Sequence, residues 1–437
     1  MNEKIYDVAV IGGGFAGVTA AREASQLGKS VVVIEATNRL GGRTWTDDRL
    51  GTRIELGGTD VHWLQPHVWA EMSRYNVAIE EFTPPTELLY ISDGEVHQDS
   101  DEFVFGLMDK GMSALAEVAR TAYERPHDPH FSNAAFDFDK LSVGEFLDGV
   151  DMTKLEREVT SSFWAAACQA PLDKAGISIA LRWLALAGWD WQVMLDVISR
   201  YKIVGGTGLL IDGIVSDTTA EFVMNATVTA LAESESIVRI DLADGRTVTS
   251  RTVVCAVPVN VLSDIAIEPK QPHIQRIAEA GQISGGQKVV VRIKGDRAPY
   301  MAFAPEGHPF VLLQYDRSID GDHIAVAFGS DASAVNGSSR EDVEAVLRTW
   351  LPDLNVVDVA THNWTADGLY RGTWAVPAPG QLRDQLDAVQ ARNSRILLAG
   401  ADLASGSFGL IDGAIFTGMR AGRDAAQMSE SGSFATR

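Results

Sequence analysis

The chain has 437 residues, 46% hydrophobic and 22% charged, which describes a folded protein with two or three domains rather than a disordered segment. Its 37 basic and 59 acidic residues leave a net charge of −22, spread along the chain, which argues against nucleic acid or an anionic membrane as partner. With two cysteines, Cys168 and Cys255, both in apolar surroundings, no bilayer-length apolar stretch and a first strand that begins close to Met1, a cytoplasmic protein without disulfides or signal peptide is expected.

The first element is a buried strand from Asp7 that breaks at Gly12-Gly13-Gly14 and opens a helix from Phe15 to about Leu27. Gly12, Gly14 and Gly17 stand in the Gly-x-Gly-x-x-Gly spacing. Gly12 permits the tight turn, Gly14 lets backbone approach a pyrophosphate, and Gly17 lets the helix pack closely. The N-terminal amides of that helix, near Ala16, would face the phosphates. A second apolar strand, Ser30–Ile34, ends in Glu35, eighteen residues after Gly17, followed by Ala36. An acid at that place accepts the hydroxyls of an adenosine ribose. Arg39, Gly41, Gly42 and Arg43 follow without a gap, then Gly57, Gly58 and Thr59. These suit a loop running along an elongated dinucleotide, although glycine pairs also make ordinary turns.

Residues 81–202 read as helix-rich and aromatic, with Trp164, Trp183, Trp189 and Trp191 close in sequence. Strands are expected at Ala226–Leu231, Ile237–Leu242 and Arg246–Val254, the last two joined through Asp244-Gly245, a hairpin signal. A buried strand then ends at Pro258. A strand begins near Lys288, another spans Arg395–Gly400, and a helix is expected from Asp412 to Met428. Dinucleotide-type sequence therefore stands at the start, middle and end. We expect an α/β fold of two interleaved domains: a discontinuous Rossmann-like part at 1–80, 203–283 and 386–430, and a mixed-sheet-plus-helices substrate part at 81–202 and 284–385. Residues 431–437 are expected to be a flexible tail.

The run from Glu35 to Gly58, together with Gly400-Ala401-Asp402 and Gly409-Leu410-Ile411-Asp412-Gly413-Ala414, resembles the flavin-containing amine oxidase family, which includes monoamine and polyamine oxidases. The resemblance covers nearly the whole chain. It implies FAD beside the residues named, with Asp402 near the ribityl or phosphate region and the backbone after Leu410 at the pyrimidine edge of the flavin. The helix start at Asp412 would offer its positive dipole end there, or Asp412 is simply a helix-start acid. Val228 matches a position whose backbone meets adenine, or is a plain strand valine. Lys288 matches the lysine that holds a water near flavin N5, or is a solvated strand-start lysine. If buried, its pKa falls through desolvation.

Departures from the family pattern shape the expected chemistry. Trp374 stands where many relatives carry a flavin-linked cysteine, so FAD is expected to be held non-covalently. Ala375 and Leu410 replace the two tyrosines of the aromatic sandwich. Trp374 is either another aromatic wall or core packing. His62 and Gln169 are candidates for the substrate pocket, with a structural role the alternative for His62. His127 and His130 flank a proline turn without a third ligand, and no metal is expected.

The resemblance implies an amine oxidase. An α C–H of a neutral amine leaves as hydride to flavin N5, the imine hydrolyses, and O2 takes the electrons to give hydrogen peroxide. A secondary, cyclic or bulky amine is favoured, and a homodimer is allowed. The rivals are an FAD-dependent C–C desaturase of the same superfamily and a non-catalytic flavin-binding protein.

Overall fold

The computed structural model describes residues 4–431. Strand Ile5–Ile11 ends in four buried residues, as expected of a parallel strand covered on both faces. It lies between Val31–Ile34 and Thr247–Cys255, parallel to both. Glu221–Val223 extends the sheet beyond Val31–Ile34. Thr247–Cys255 serves two neighbours on its other side: Thr247–Ser250 run antiparallel to Val238–Leu242, while Val253–Cys255 run parallel to Ile396–Leu398. Val228–Glu233 pairs with Val238–Leu242 and carries Ala266–Glu268 at the edge. The turn at Asp244-Gly245 is the expected hairpin, with Gly245 at φ +86°.

The strand expected at Ala226–Leu231 starts two residues later. Asn225 and Ala226 instead give their backbone N–H groups to Thr37 O and Glu35 O, at 2.9 Å each. That diversion keeps them beside the end of the second strand. The last helix runs Ile411–Ser431, longer than expected at both ends. Ser431 closes it, and the remainder of the expected tail, 432–437, lies outside the described residues.

The second sheet has seven strands in the order Val356–Thr361, Gln287–Ile293, Asp322–Gly329, Leu312–Ile319, Tyr300–Phe303, Glu87–Ser92 and Glu95–Asp99. All neighbours are antiparallel except Tyr300–Phe303 with Glu87–Ser92. Helices between Asp101 and Ser199 pack on it around a core holding Trp164, Leu181 and Met112. Their starts are specified locally. Ser100 caps Asp101–Ala122, and Thr153 with Glu156 forms a capping box on Lys154–Cys168. A small sheet of Asp60–Val61, Tyr201–Ile203 and Ile79–Glu81 joins the N-terminal region to this helical part. Among the described residues no helix is long and apolar enough to cross a membrane.

Helices Phe15–Gln26 and Ile411–Ser431 pack unusually close. A β-carbon on Gly418 would overlap the Ala16 carbonyl oxygen, and one on Gly422 that of Ala20. Two glycines four apart face two alanines four apart, so the helix backbones touch. This contact brings the N-termini of both helices to one place, and that place is the cleft.

Candidate active site

A cleft opens where the parallel strands end, with about 1320 Å³ of empty space counted to its mouth. Ligands bind at this edge of open α/β sheets. Three groups of residues wall it. Glu35, Ala36 and Val228 form one, beside Ala226. Gly12, Gly14, Ala16, Gly41, Gly42, Arg43 and Gly58 form the second. Gly400, Asp402, Gly409, Leu410, Ile411 and Ala414 form the third, together with Trp374 and Ala375.

The glycine turn is sterically compelled. Gly12 has φ +99°, and a β-carbon there would lie 2.9 Å from Ala256 O. A β-carbon on Gly17 would overlap Gly12 O, so helix and turn meet backbone to backbone. Gly14 is the N-cap of the helix and supplies no side-chain cap. The first amides of that helix therefore have no protein partner from a cap and open into the cleft, a ready anion site.

Glu35 is 8% exposed. Its Oε2 accepts from Gly13 N at 2.6 Å, and Oε1 from the N and Oγ1 of Thr37, each at 2.8 Å. Two bonds on Oε1 and one on Oε2 leave Oε2 with an open acceptor site for a hydroxyl. Across the cleft, Asp402 takes a 2.6 Å bond from Arg43 Nη2 on Oδ1 and one from Val259 N at 3.2 Å on Oδ2.

Four expected cofactor residues stand behind the wall rather than on it. Gly17 is filled from behind by Gly12. Arg39 donates to Gly42 O at 2.7 Å and Thr44 O at 3.0 Å and stacks over Trp45 at 4.3 Å, so it braces the Gly41–Thr44 loop from outside. Gly57 is pressed against Arg43 O, where a β-carbon would overlap. Thr59 faces a second cavity.

Lys288 is also on that far side. It is 8% exposed, and Nζ donates to Gly57 O at 2.9 Å and to Thr59 Oγ1 at 2.7 Å. Gly58 lines the cleft while Thr59 and Lys288 line the second cavity, so the Gly57–Thr59 segment is a partition between them. Burial pulls the Lys288 amine below the usual lysine range, opposed by Asp60, Glu55 and Asp316.

Two residues expected in the substrate pocket do not line this cleft. His62 is fully buried outside the cleft, with Nε2 3.0 Å from Asp196 Oδ2 and Nδ1 accepting from Leu64 N at 3.1 Å. Burial lowers its pKa, with Asp196 opposing. It is a satisfied structural histidine. Gln169 sits in the left-handed region at φ +46°, donates Nε2–H to Gln287 O at 3.1 Å and accepts from Gly285 N at 3.0 Å. It pins the strand that carries Lys288 and does not line the cleft.

Asp412 does something the sequence did not disclose. Oδ1 accepts from His67 N at 2.5 Å and Val68 N at 2.9 Å, and Oδ2 is 3.1 Å from His67 Nδ1. It caps the neighbouring helix Pro66–Arg74, whose own N-cap Gln65 supplies no bond. Burial pushes its pKa up, but the His67 and Val68 bonds win and hold it below the ordinary aspartate value.

Residues missed by sequence reading include Thr44, Tyr370 and Val257-Pro258, all on the cleft wall. Pro258 was readable: it follows the parallel strand Thr247–Cys255, and strand C-termini at the sheet edge make the crevice. Tyr370 carries no such signal. His127 packs against Gly406, His130 against the Phe136 ring, and no cluster of three or more metal-type ligands exists among the described residues. Cys168 and Cys255 are buried, their thiols pushed up to about 12 by desolvation.

The family of flavin containing amine oxidoreductases matches residues 15–426. The chain is 36% identical to nicotine dehydrogenase of Pseudomonas putida over 97% of its length and 89% of the relative's. It is 34% identical to pseudooxynicotine dehydrogenase of a Pseudomonas species, over 95% and 85%. It is 27% identical to (S)-6-hydroxynicotine oxidase of Paenarthrobacter nicotinovorans, over 94% and 97%. Putrescine oxidase bound to putrescine shares the fold with TM-score 0.84 at 23% identity, covering 97% of this chain and 99% of that one. The uncapped helix, the buried ribose-type acid and the glycine cradle fit a dinucleotide flavin. The chain belongs to the flavin-containing amine oxidoreductase family and is an oxidoreductase that uses FAD and acts on amines.

Proposed function

We propose that the protein oxidises a secondary or tertiary cyclic amine, or an open-chain amine derived from one, of the nicotine class. The observation that carries this reading is the cleft wall at Trp374, Ala375 and Leu410: one large aromatic face next to two positions too small, or too aliphatic, to grip a flat primary amine between rings. The names of the relatives, nicotine dehydrogenase and pseudooxynicotine dehydrogenase, support it.

Bound FAD supplies the acceptor for the hydride that leaves the amine's α-carbon. The chain does the rest. Glu35 and Val228 hold the adenosine end, and the Phe15–Gln26 helix start with Arg43 holds the pyrophosphate. The start of Ile411–Ser431 stabilises negative charge at the opposite end. Trp374 orients the amine and excludes water from its face. No cysteine replaces Trp374, so the cofactor is held without a covalent bond. Lys288 orients water behind the partition. The division into a discontinuous FAD-binding part at 1–80, 203–283 and 386–430 and a substrate part at 81–202 and 284–385 belongs to this proposal. We keep dioxygen as the acceptor, with hydrogen peroxide as product.

The test is anaerobic titration of the purified protein with nicotine-like, secondary cyclic and primary amines, following the visible flavin band. Bleaching by the cyclic amines alone supports the reading. Bleaching only by putrescine-type primary amines overturns the substrate class. Oxygen uptake with peroxide formation, compared with dye reduction under nitrogen, decides the acceptor.

A further inference from the structure

We propose that the turn from Asp367 to Arg371 is a strap across the cofactor cleft, and that the ion pair between Arg371 and Asp264 is its latch, which sets how fast FAD enters and leaves. The inference rests on the use of FAD and involves no substrate, so it stands or falls apart from the amine class.

The strap is a preformed unit. Asp367 O accepts from Tyr370 N at 3.0 Å and from Arg371 N at 2.9 Å, and Asp367 Oδ1 accepts from Leu369 N at 2.9 Å. Arg371 turns the chain back at φ +51°. A turn that carries its own hydrogen bonds keeps them when it moves. Gly368, Leu369 and Tyr370 line the cleft.

Two walls of the cleft are joined through it. On one side, Tyr370 Oη accepts from Arg39 Nη2 at 3.1 Å, and Arg39 braces the N-terminal glycine loop. Tyr370 is buried there and meets Trp364 edge-on, with ring centres 4.8 Å apart. On the other side, Arg371 meets Asp264, the last residue of the turn Val259–Asp264, in a fork. Nη1 donates to Oδ1 at 3.0 Å and Nη2 to Oδ2 at 2.5 Å, a geometry that fixes one closed position. Asn260 Nδ2 adds a bond to Arg371 O at 2.7 Å. Val261, Asp264 and Ile265 also line the cleft, so the fork joins two stretches of its wall.

This joint is the one that parts most readily. The Arg371 and Asp264 side chains are 46% and 48% exposed, so they stand at the rim, whereas Asp402 in the Arg43–Asp402 pair is 4% exposed. An exposed pair adds little to the folded state and is screened by salt, while a buried one is costly to break. A dinucleotide walled by three parts of the chain enters only when walls separate, and separation runs through the weakest contact. Whichever side swings, Arg371 and Asp264 must come apart while Arg43 and Asp402 stay together.

The experiment uses the wild type, Arg371→Ala, Asp264→Ala and the charge-swapped double variant Arg371→Asp with Asp264→Arg. Release is read as the rise of free-flavin fluorescence when loaded protein is diluted, and entry as its loss when FAD is mixed with apoprotein. At low salt we expect both rates to rise about fivefold in each alanine variant, with the dissociation constant moving less than about twofold. The wild type at about 0.5 M salt should approach the variants' rates. The swapped pair should recover most of the slow exchange, and the melting temperature of the apoprotein should stay that of wild type. Unchanged exchange in both alanine variants overturns the latch. Faster release with unchanged entry also overturns it, because a plain binding contact acts on exit alone. Lower apoprotein melting that accompanies the faster exchange, without recovery in the swapped variant, makes the pair structural and overturns it as well.

Discussion

Arg43 and Asp402, 359 residues apart in sequence, meet at 2.6 Å between guanidinium and carboxylate on the wall of the cleft. Asp402 is buried, and its other oxygen holds Val259 N at 3.2 Å. One carboxylate therefore ties the N-terminal glycine loop, the C-terminal turn and the segment after the central parallel strand. Removing one partner of such a pair leaves the other charge uncompensated. Asp402→Ala should destabilise the protein by about 3 kcal/mol and loosen the flavin. Thermal melting with and without added FAD checks both effects. A variant that melts like wild type and stays yellow contradicts the tie.

Glu35 holds its own turn through Gly13 N, and we propose that it also holds the ribose. Glu35→Ala frees the buried Gly13 N–H, at about 1–3 kcal/mol, and removes the ribose acceptor. Glu35→Gln can still accept at Gly13 through its amide oxygen. The alanine variant should therefore lose both stability and flavin. The glutamine variant should lose mainly flavin affinity, read by the dissociation constant of FAD for the apoprotein. Equal stability of the two variants would remove the turn duty.

How much of this was legible follows from the range of the forces involved. The turn from Gly12 to Gly17 and the acid at Glu35 were readable because each answers a local steric or hydrogen-bond demand. The helix–helix contact was not. Gly418 and Gly422 look like two small residues in a helix until Ala16 and Ala20 arrive from the other end of the chain. His62 and Gln169 were placed in the pocket because they follow, or match, pocket-forming sequence. Partners far away in sequence, Asp196 and Gln287, turned them elsewhere. Lys288 reads from sequence as either a lysine holding a water near the flavin or a solvated strand-start lysine; the fold buries it and stands the Gly57–Thr59 backbone between its amine and the cleft.

The close helix pair gives a sharp test. Gly422→Leu places a side chain into the Ala20 backbone, and backbone cannot yield as a flexible side chain can. Overpacking of this kind costs about 1–3 kcal/mol, and here it also separates the two helix starts that face the cleft. The expected result is weaker FAD retention, out of proportion to the fall in melting temperature. Gly422→Ala should show the same sign at smaller size.

Trp374 lines the cleft with its backbone N–H fixed by Ser284 Oγ at 3.0 Å. Trp374→Ala keeps that backbone bond and removes only the aromatic face. Loss of a large aromatic anchor costs about 2 kcal/mol or more, so KM for a cyclic amine should rise at least tenfold. FAD content should stay unchanged. If KM holds and melting temperature falls instead, Trp374 is core packing and the substrate wall lies elsewhere.

Asp60 yields a pH prediction whose sign is fixed by linkage. Burial lifts its carboxyl from the ordinary 3.8 to about 6, with Lys288 and Lys202 opposing. The folded protein therefore binds more protons than the unfolded chain between those values. Asp60's contribution is fully present below about pH 4 and is lost as pH rises through about 6. Taken alone, the wild type loses at most about 3 kcal/mol at this residue between those limits. In Asp60→Asn that loss disappears, because the amide does not titrate. Chemical denaturation at pH 5 and pH 7.5 should show the gap between the two pH values change in the variant's favour at the higher pH. An identical pH dependence in both proteins would mean that Asp60 stays ionised throughout.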